Sequence, residues 1–91
     1  MHAVHWKRQA INDIVRIGSY ISLSSPVNAD KLITRLQAKI AALATYPNLG
    51  HIGRQPGTRE LVAPGHYIVI YRVTAVRVEI IRIKHTARAW P

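Results

Sequence analysis

The hydrophobic period changes once along this chain, and the change constrains the fold class. From about Lys7 to Leu43, apolar residues recur every three or four positions. From about Thr58 to His85 they recur every second position. The first spacing builds a stripe on a helix; the second builds one face of a strand. Helical sequence followed by strand sequence, within 91 residues, reads as one α+β domain spanning 1–91.

The helical half divides in two. Over about Lys7 to Ser24, Ile11, Ile14, Val15, Gly18 and Ile21 are expected to form one stripe. Lys7 and Arg8 open this helix, where the dipole disfavours cations and no Ser, Thr, Asp or Asn stands as a cap. At Ser24-Ser25-Pro26 the pattern restarts. Ser25 suits an N-cap and Pro26 the first helical position. Ala29, Leu32, Ile33, Leu36, Ile40 and Leu43 then form a second stripe, with Asp30, Lys31, Arg35 and Lys39 opposite. The run Tyr46-Pro47-Asn48-Leu49-Gly50 ends it. So short a link between stripes implies an antiparallel helical hairpin.

His2 to Trp6 reads as a short strand. Gly50 to Gly57, with His51 and Arg54, reads as a loop. Strands are expected over about Thr58 to Ala63, Gly65 to Val73 and Val76 to His85, joined by tight turns at Pro64-Gly65 and Thr74-Ala75. The expected architecture is a short N-terminal strand and a helical hairpin packed on a three- to four-stranded, mainly antiparallel sheet. Strict alternation puts Tyr67, Val69, Tyr71 and Val73 on one face of the middle strand and His66, Ile68, Ile70 and Arg72 on the other. In the last strand it groups Val78, Ile80, Arg82 and Lys84 against Glu79, Ile81, Ile83 and His85. One sheet face then meets the helices, and the other is a partly apolar, basic concavity. Tyr67 and Tyr71 read as core.

Thirteen Lys and Arg stand against four Asp and Glu, a formal charge of +9. Such a field attracts polyanions, acidic proteins or acidic surfaces. No run approaches the ~18 apolar residues of a membrane span. The start, Met1-His2-Ala3-Val4-His5, lacks the apolar core of a signal peptide, so a cytoplasmic location is expected. The absence of cysteine excludes disulfides and thiolate metal sites. The five histidines have no metal-site spacing and carboxylates are few, so neither a metal nor another cofactor is expected. No nucleophile motif and no phosphate-binding glycine loop is present.

The cations carry the functional reading. Arg59, Arg82, Lys84, His85 and Arg88 are expected toward one side of the sheet. Arginine suits phosphate and carboxylate through its planar, permanently charged fork. His85 can exchange a proton near neutral pH. One histidine among cations meets the minimum for RNA cleavage: a base for the 2′-hydroxyl and charge for the phosphorane. The same residues equally suit a basic surface that docks an acidic partner.

The order of pieces resembles the RelE/ParE superfamily of bacterial toxins over nearly the whole chain. The carriers are "LATYPNLG", "GTRELV", "YIVIYRV" and "VEIIRIKHTARAW". The resemblance implies the toxic half of a type II toxin–antitoxin module, neutralised by a cognate antitoxin, with operator DNA bound only through that antitoxin. RelE-like members cut mRNA on the ribosome; ParE-like members poison DNA gyrase. In the RelE-like strand, Tyr-Arg-Leu-Val-Tyr, the arginine serves the scissile phosphate. Here the matching stretch is Tyr67-Ile68-Val69-Ile70-Tyr71, with Ile68 at the arginine position. The reading therefore leans toward gyrase inhibition without catalysis. The alternative is a ribosome-dependent mRNA endonuclease using Arg59, Arg82 and His85. A third possibility is an inert basic module that only assists operator binding. Target or antitoxin contacts are expected at Arg54, Arg59, His66, Arg72, Arg82, Lys84, His85, Arg88 and Trp90.

Overall fold

The structure, a computed structural model, describes residues 1–87. Strand β1 (Ala3–Trp6) leads into helix α1 (Arg8–Ser22), and helix α2 (Pro26–Ala41) follows, closing in a 3₁₀ turn over Ala42–Ala44. Strands β2 (His51–Ile52), β3 (Arg59–Ala63), β4 (Tyr67–Val73) and β5 (Arg77–His85) complete the chain. The sheet runs β1-β5-β4-β3-β2. β2 to β5 pair antiparallel, while β1 lies parallel to β5. The sheet is thus mixed and has five strands. The added strand is β2, two residues inside the segment read as loop. It is too short to show a period of its own and exists because His51 and Ile52 pair with Glu60 and Arg59.

α2 forms as its sequence dictates. The Ser25 hydroxyl accepts from the Asn28 amide and Pro26 sits at the first turn. Ala29, Leu36 and Ile40 are buried, and Leu43 continues their line in the 3₁₀ turn. α1 does begin uncapped at Lys7, but its buried line is Ala10, Asp13 and Ile17. Ile14, Gly18 and Ile21 are half-buried, whereas Ile11 and Val15 are 46% and 60% exposed. The helix is rotated from the expected stripe because the inward face includes a carboxylate, Asp13, with partners on β5.

The helices cover one sheet face. Leu61 and Ala63 of β3, Tyr67, Val69 and Tyr71 of β4, and Val78, Ile80 and Ile83 of β5 join Leu36, Ile40 and Leu43 in the core. Strict alternation in β5 fails at one point. Tyr71 pairs with Ile80 but Ile70 pairs with Arg82, so Ile81 is an extra residue. This bulge reverses the parity beyond it, which is how Ile80 and Ile83 reach the same core. The opposite face carries Ile68 and Ile70 in β4, with Lys84 and Arg82 as their neighbours in β5.

The β3–β4 turn holds Pro64, Gly65 and His66 between paired Ala63 and Tyr67. Gly65 has φ +78° and His66 φ +64°. A left-handed histidine is uncommon. It is held here by the bond from the Thr86 amide to the His66 carbonyl, 2.7 Å.

Candidate basic groove and its surroundings

β5 outruns β1. The register ends at Trp6 opposite Ile80, and β5 continues to His85. Beyond that point α1 lies beside the strand, and a groove of about 360 Å³ opens between them. α1 contributes Asp13, Arg16, Ile17 and Tyr20; the sheet contributes Tyr67, Arg82, Ile83, Lys84 and His85.

One carboxylate organises its floor. Asp13 accepts from Arg82 Nε at 2.7 Å and Nη2 at 3.1 Å, and from the Ile83 amide at 2.9 Å. The bond from Asp13 raises the Arg82 guanidinium further above its already high value, outweighing the opposing effect of burial. Arg82 therefore stays charged but has a resident counter-ion.

His85 stands edge-on to the Tyr67 ring, centroids 5.1 Å apart, with the His66 ring at 6.3 Å. Its Nδ1 accepts from the Ala87 amide at 3.1 Å. In neutral His85 the proton then sits on Nε2, and the ring's acceptor lone pair is already used.

The remaining expected contacts divide by position. Arg82, Lys84 and His85 come together in the groove, with His66 next to them. Arg59 does not join them: it pairs with Tyr71, while His85 pairs with Tyr67. The two pairs lie about 13 Å apart along β4 at ~3.3 Å per residue. Arg59 Nη1 instead donates to the Gly50 carbonyl at 2.7 Å. Arg54 lies in the loop before β3, its amide bonded to Glu60. Arg72 is exposed opposite Glu79 and close to Gly57. Arg88 and Trp90 fall outside the described residues. Asp13 and Arg16 were missed as site residues, although Asp13 stands three after Ala10 and four before Ile17, on the buried side of α1.

Charge is asymmetric beyond its sum. Of the four carboxylates, Asp13, Glu60 and Glu79 are buried and only Asp30 is exposed. Glu79 is held by Arg77, and Glu60 by the Arg54 amide with His51 at 3.6 Å. Among the side chains of Asp, Glu, Lys and Arg exposed in the described residues, all but Asp30 are thus cationic. Among the described residues, no three His, Cys, Asp or Glu side chains form a possible metal cluster, and no helix is long and apolar enough to cross a membrane.

The family model described as "ParE toxin of type II toxin-antitoxin system, parDE" matches residues 4–90. The chain belongs to the ParE toxin family. This ParE-family chain is 37% identical to the putative toxin Y4kP of Sinorhizobium fredii, over 97% of this chain and 92% of that protein. It is 36% identical to toxin RelE2 of Caulobacter vibrioides, over 97% and 99%. In fold it resembles a solved structure of the chromosomal ParDE toxin–antitoxin system from P. aeruginosa, with a TM-score of 0.83, 25% identity, and 93% and 96% of the two chains covered. It also resembles the RelBE2 toxin–antitoxin complex of Mycobacterium tuberculosis, with a TM-score of 0.68, 20% identity, and 92% and 96% covered. The latter likeness concerns the fold. Names from both branches of the superfamily occur among these relatives.

Proposed function

We propose that this ParE-family toxin is neutralised by an antitoxin and acts by gripping DNA gyrase rather than by cutting RNA. The observation that carries the reading is Ile68. An alkyl side chain, only 8% exposed, stands where a nuclease of this superfamily places a guanidinium on the scissile phosphate. A missing charged contact to a developing anion removes roughly 3–4 kcal/mol of transition-state stabilisation.

The surroundings support the same reading. The two arginines best placed by sequence to compensate are both engaged. Arg82 is held by Asp13 and Arg59 by the Gly50 carbonyl. His85 Nδ1 accepts from the Ala87 amide, a bond that must break before that nitrogen can take the 2′-hydroxyl proton. What remains is a cationic surface suited to association.

The test is purified toxin in two assays. Gyrase supercoiling should fall with toxin concentration, while ribosome-bound messages stay full length. Message cleavage without loss of supercoiling would overturn the gyrase reading. The second reading, ribosome-dependent mRNA cleavage, draws on Arg16, Lys84 and His85 lining one groove. It requires His85→Ala to abolish that cleavage. Growth arrest on expression without antitoxin would dismiss the inert-module reading.

A further inference from the structure

β1 is the last strand on its side of the sheet. The Ala3 amide donates to the Val76 carbonyl and the Lys7 amide to the Ile80 carbonyl, so the odd-numbered residues of β1 bond to β5. Backbone groups alternate sides along a strand, and the even-numbered ones face outward. The His2 amide bears this out by donating to the Ala44 carbonyl, in the 3₁₀ turn after α2. The next outward groups are the amides and carbonyls of Val4 and Trp6. They meet no backbone partner among the described residues.

Beside them lies a groove of about 470 Å³, lined by Val4, Trp6, Gln37, Ile40, Ala41 and Ala44. In a chain of formal charge +9, this groove has no charged lining residue. That decides what fits. An acidic segment or a phosphate finds no cation there. A strand that is itself uncharged and apolar on one face does match, and β1 supplies one in Ala3-Val4-His5-Trp6. Antiparallel pairing about a twofold axis at His5 sets Val4 opposite the second copy's Trp6, and each such pair exchanges both of its bonds. Every outward group of Val4 and Trp6 is then satisfied. Ala41 and Ala44 leave room for the incoming indole.

We propose that a second copy of this chain adds at the β1 edge, β1 against β1, with His5 on the twofold axis and the two sheets continuous. The ladder is short, because Ala44 already takes the His2 amide. The dimer therefore belongs to the small, concentration-dependent class, below the roughly 800 Å² per partner of a standard interface. The net charges of the two copies repel at long range, and salt screens that repulsion. Association accordingly strengthens with salt, the reverse of docking an acidic partner. The inference is independent of the toxin's target.

The experiment uses the full chain, which has no cysteine of its own. The two His5 residues form a non-hydrogen-bonded pair with Cα atoms about 4.5 Å apart, within disulfide range. Ala3 faces the second copy's Lys7, which leaves the two Ala3 residues about 13 Å apart at ~3.3 Å per residue. On oxidation with diamide, His5→Cys should give at least tenfold more covalent dimer than Ala3→Cys. Val4→Pro deletes one outward N–H without touching the bonds to β5 and should weaken dimerisation at least tenfold in sedimentation equilibrium. If Val4→Pro fails to fold, the cysteine pair carries the test, since Ala3 and His5 are both exposed. A monomer at every chain concentration, even in about 0.5 M NaCl where repulsion is screened, would overturn the proposal. Equal cross-linking of the two cysteine variants would mean random collision and overturn it too. So would a dimer that His5→Cys does not trap, or one that dissociates as salt is raised.

Discussion

Asp13 and Arg82, 69 residues apart in sequence, are joined by two hydrogen bonds of 2.7 and 3.1 Å. The pair ties α1 to β5 at the point where β1 no longer can. Asp13 is almost fully buried, and its third bond, from the Ile83 amide, closes the strand edge. Asp13→Asn removes the charge and turns an amide NH₂ toward a guanidinium or a backbone N–H. Breaking a fully buried pair costs about 3–5 kcal/mol. With the Arg82 side chain 30% exposed, solvent screens part of that, and we expect a loss of about 2 kcal/mol. In a domain of this size that lowers Tm by roughly 10 °C. Thermal and urea unfolding measure it; a Tm within 2 °C of the parent would show that the pair contributes little.

Tyr71 is the second anchor. Its fully buried hydroxyl donates to the Pro47 carbonyl and accepts from the Gly50 amide, both at 2.8 Å, pinning the segment after α2 onto the sheet. Tyr71→Phe leaves two backbone groups unmatched and should cost about 2 kcal/mol. Burial also pushes the phenol above its ordinary value of 10.0, against smaller opposing effects from the Gly50 amide and the charge of Arg59. The folded chain then holds the Tyr71 proton at a pH where the unfolded chain has released it. Stability from this group is complete below about pH 10 and falls as pH rises through the folded value. Phenolate absorbance during alkaline titration should show a late-titrating tyrosine that disappears in Tyr71→Phe. An unaltered titration curve apart from overall amplitude would refute the assignment.

Much of this was legible in the sequence, because local rules and tertiary structure agree over most of the chain. Ser25-Pro26 announces α2, the spacing of Leu36, Ile40 and Leu43 gives its buried line, and alternation from Tyr67 to Val73 gives the core face of β4. The departures are long-range in origin. Ile81 bulges because β5 must keep Ile80 and Ile83 in one core while pairing with a straight run of β4. β2 exists only through its partner. Ile11 and Val15 look like stripe residues, yet α1 turns them outward to bring Asp13 onto β5. The site was legible in composition but not in grouping: nothing in the order of residues puts Arg59, opposite Tyr71, four β4 positions away from His85, opposite Tyr67.

Gly50 marks a close approach of chain to sheet. A Cβ there would lie 2.7 Å from the Glu60 carbonyl oxygen, 2.9 Å from its carbon and 2.8 Å from the Tyr71 hydroxyl. Two of these are backbone atoms of a central pairing and cannot swing aside. Gly50→Ala should therefore displace the loop and loosen both Tyr71 hydrogen bonds, costing about 3 kcal/mol or more. By contrast, Gly18→Ala meets only the Ile33 side chain at 3.5 Å and should be nearly neutral or stabilising in its helix. Paired melts of the two variants decide the matter. Equal Tm values would mean that the Gly50 approach is not tight.

The burial of three of the four carboxylates leaves a positive exterior that would speed encounter with an acidic partner. Asp13, Glu60 and Glu79 are spent internally, so an approaching antitoxin meets cations with only Asp30 among them. Long-range attraction of this kind accelerates encounter and is screened within about 10 Å at 0.1 M salt. The association rate of antitoxin should fall roughly tenfold or more between about 0.05 and 0.5 M NaCl. The dissociation rate, governed by short-range contacts, should change far less. Stopped-flow mixing across that range separates the two. If salt acted mainly on dissociation, the exposed charge would be a feature of the bound state and not of the approach, and the surface field would have no steering role.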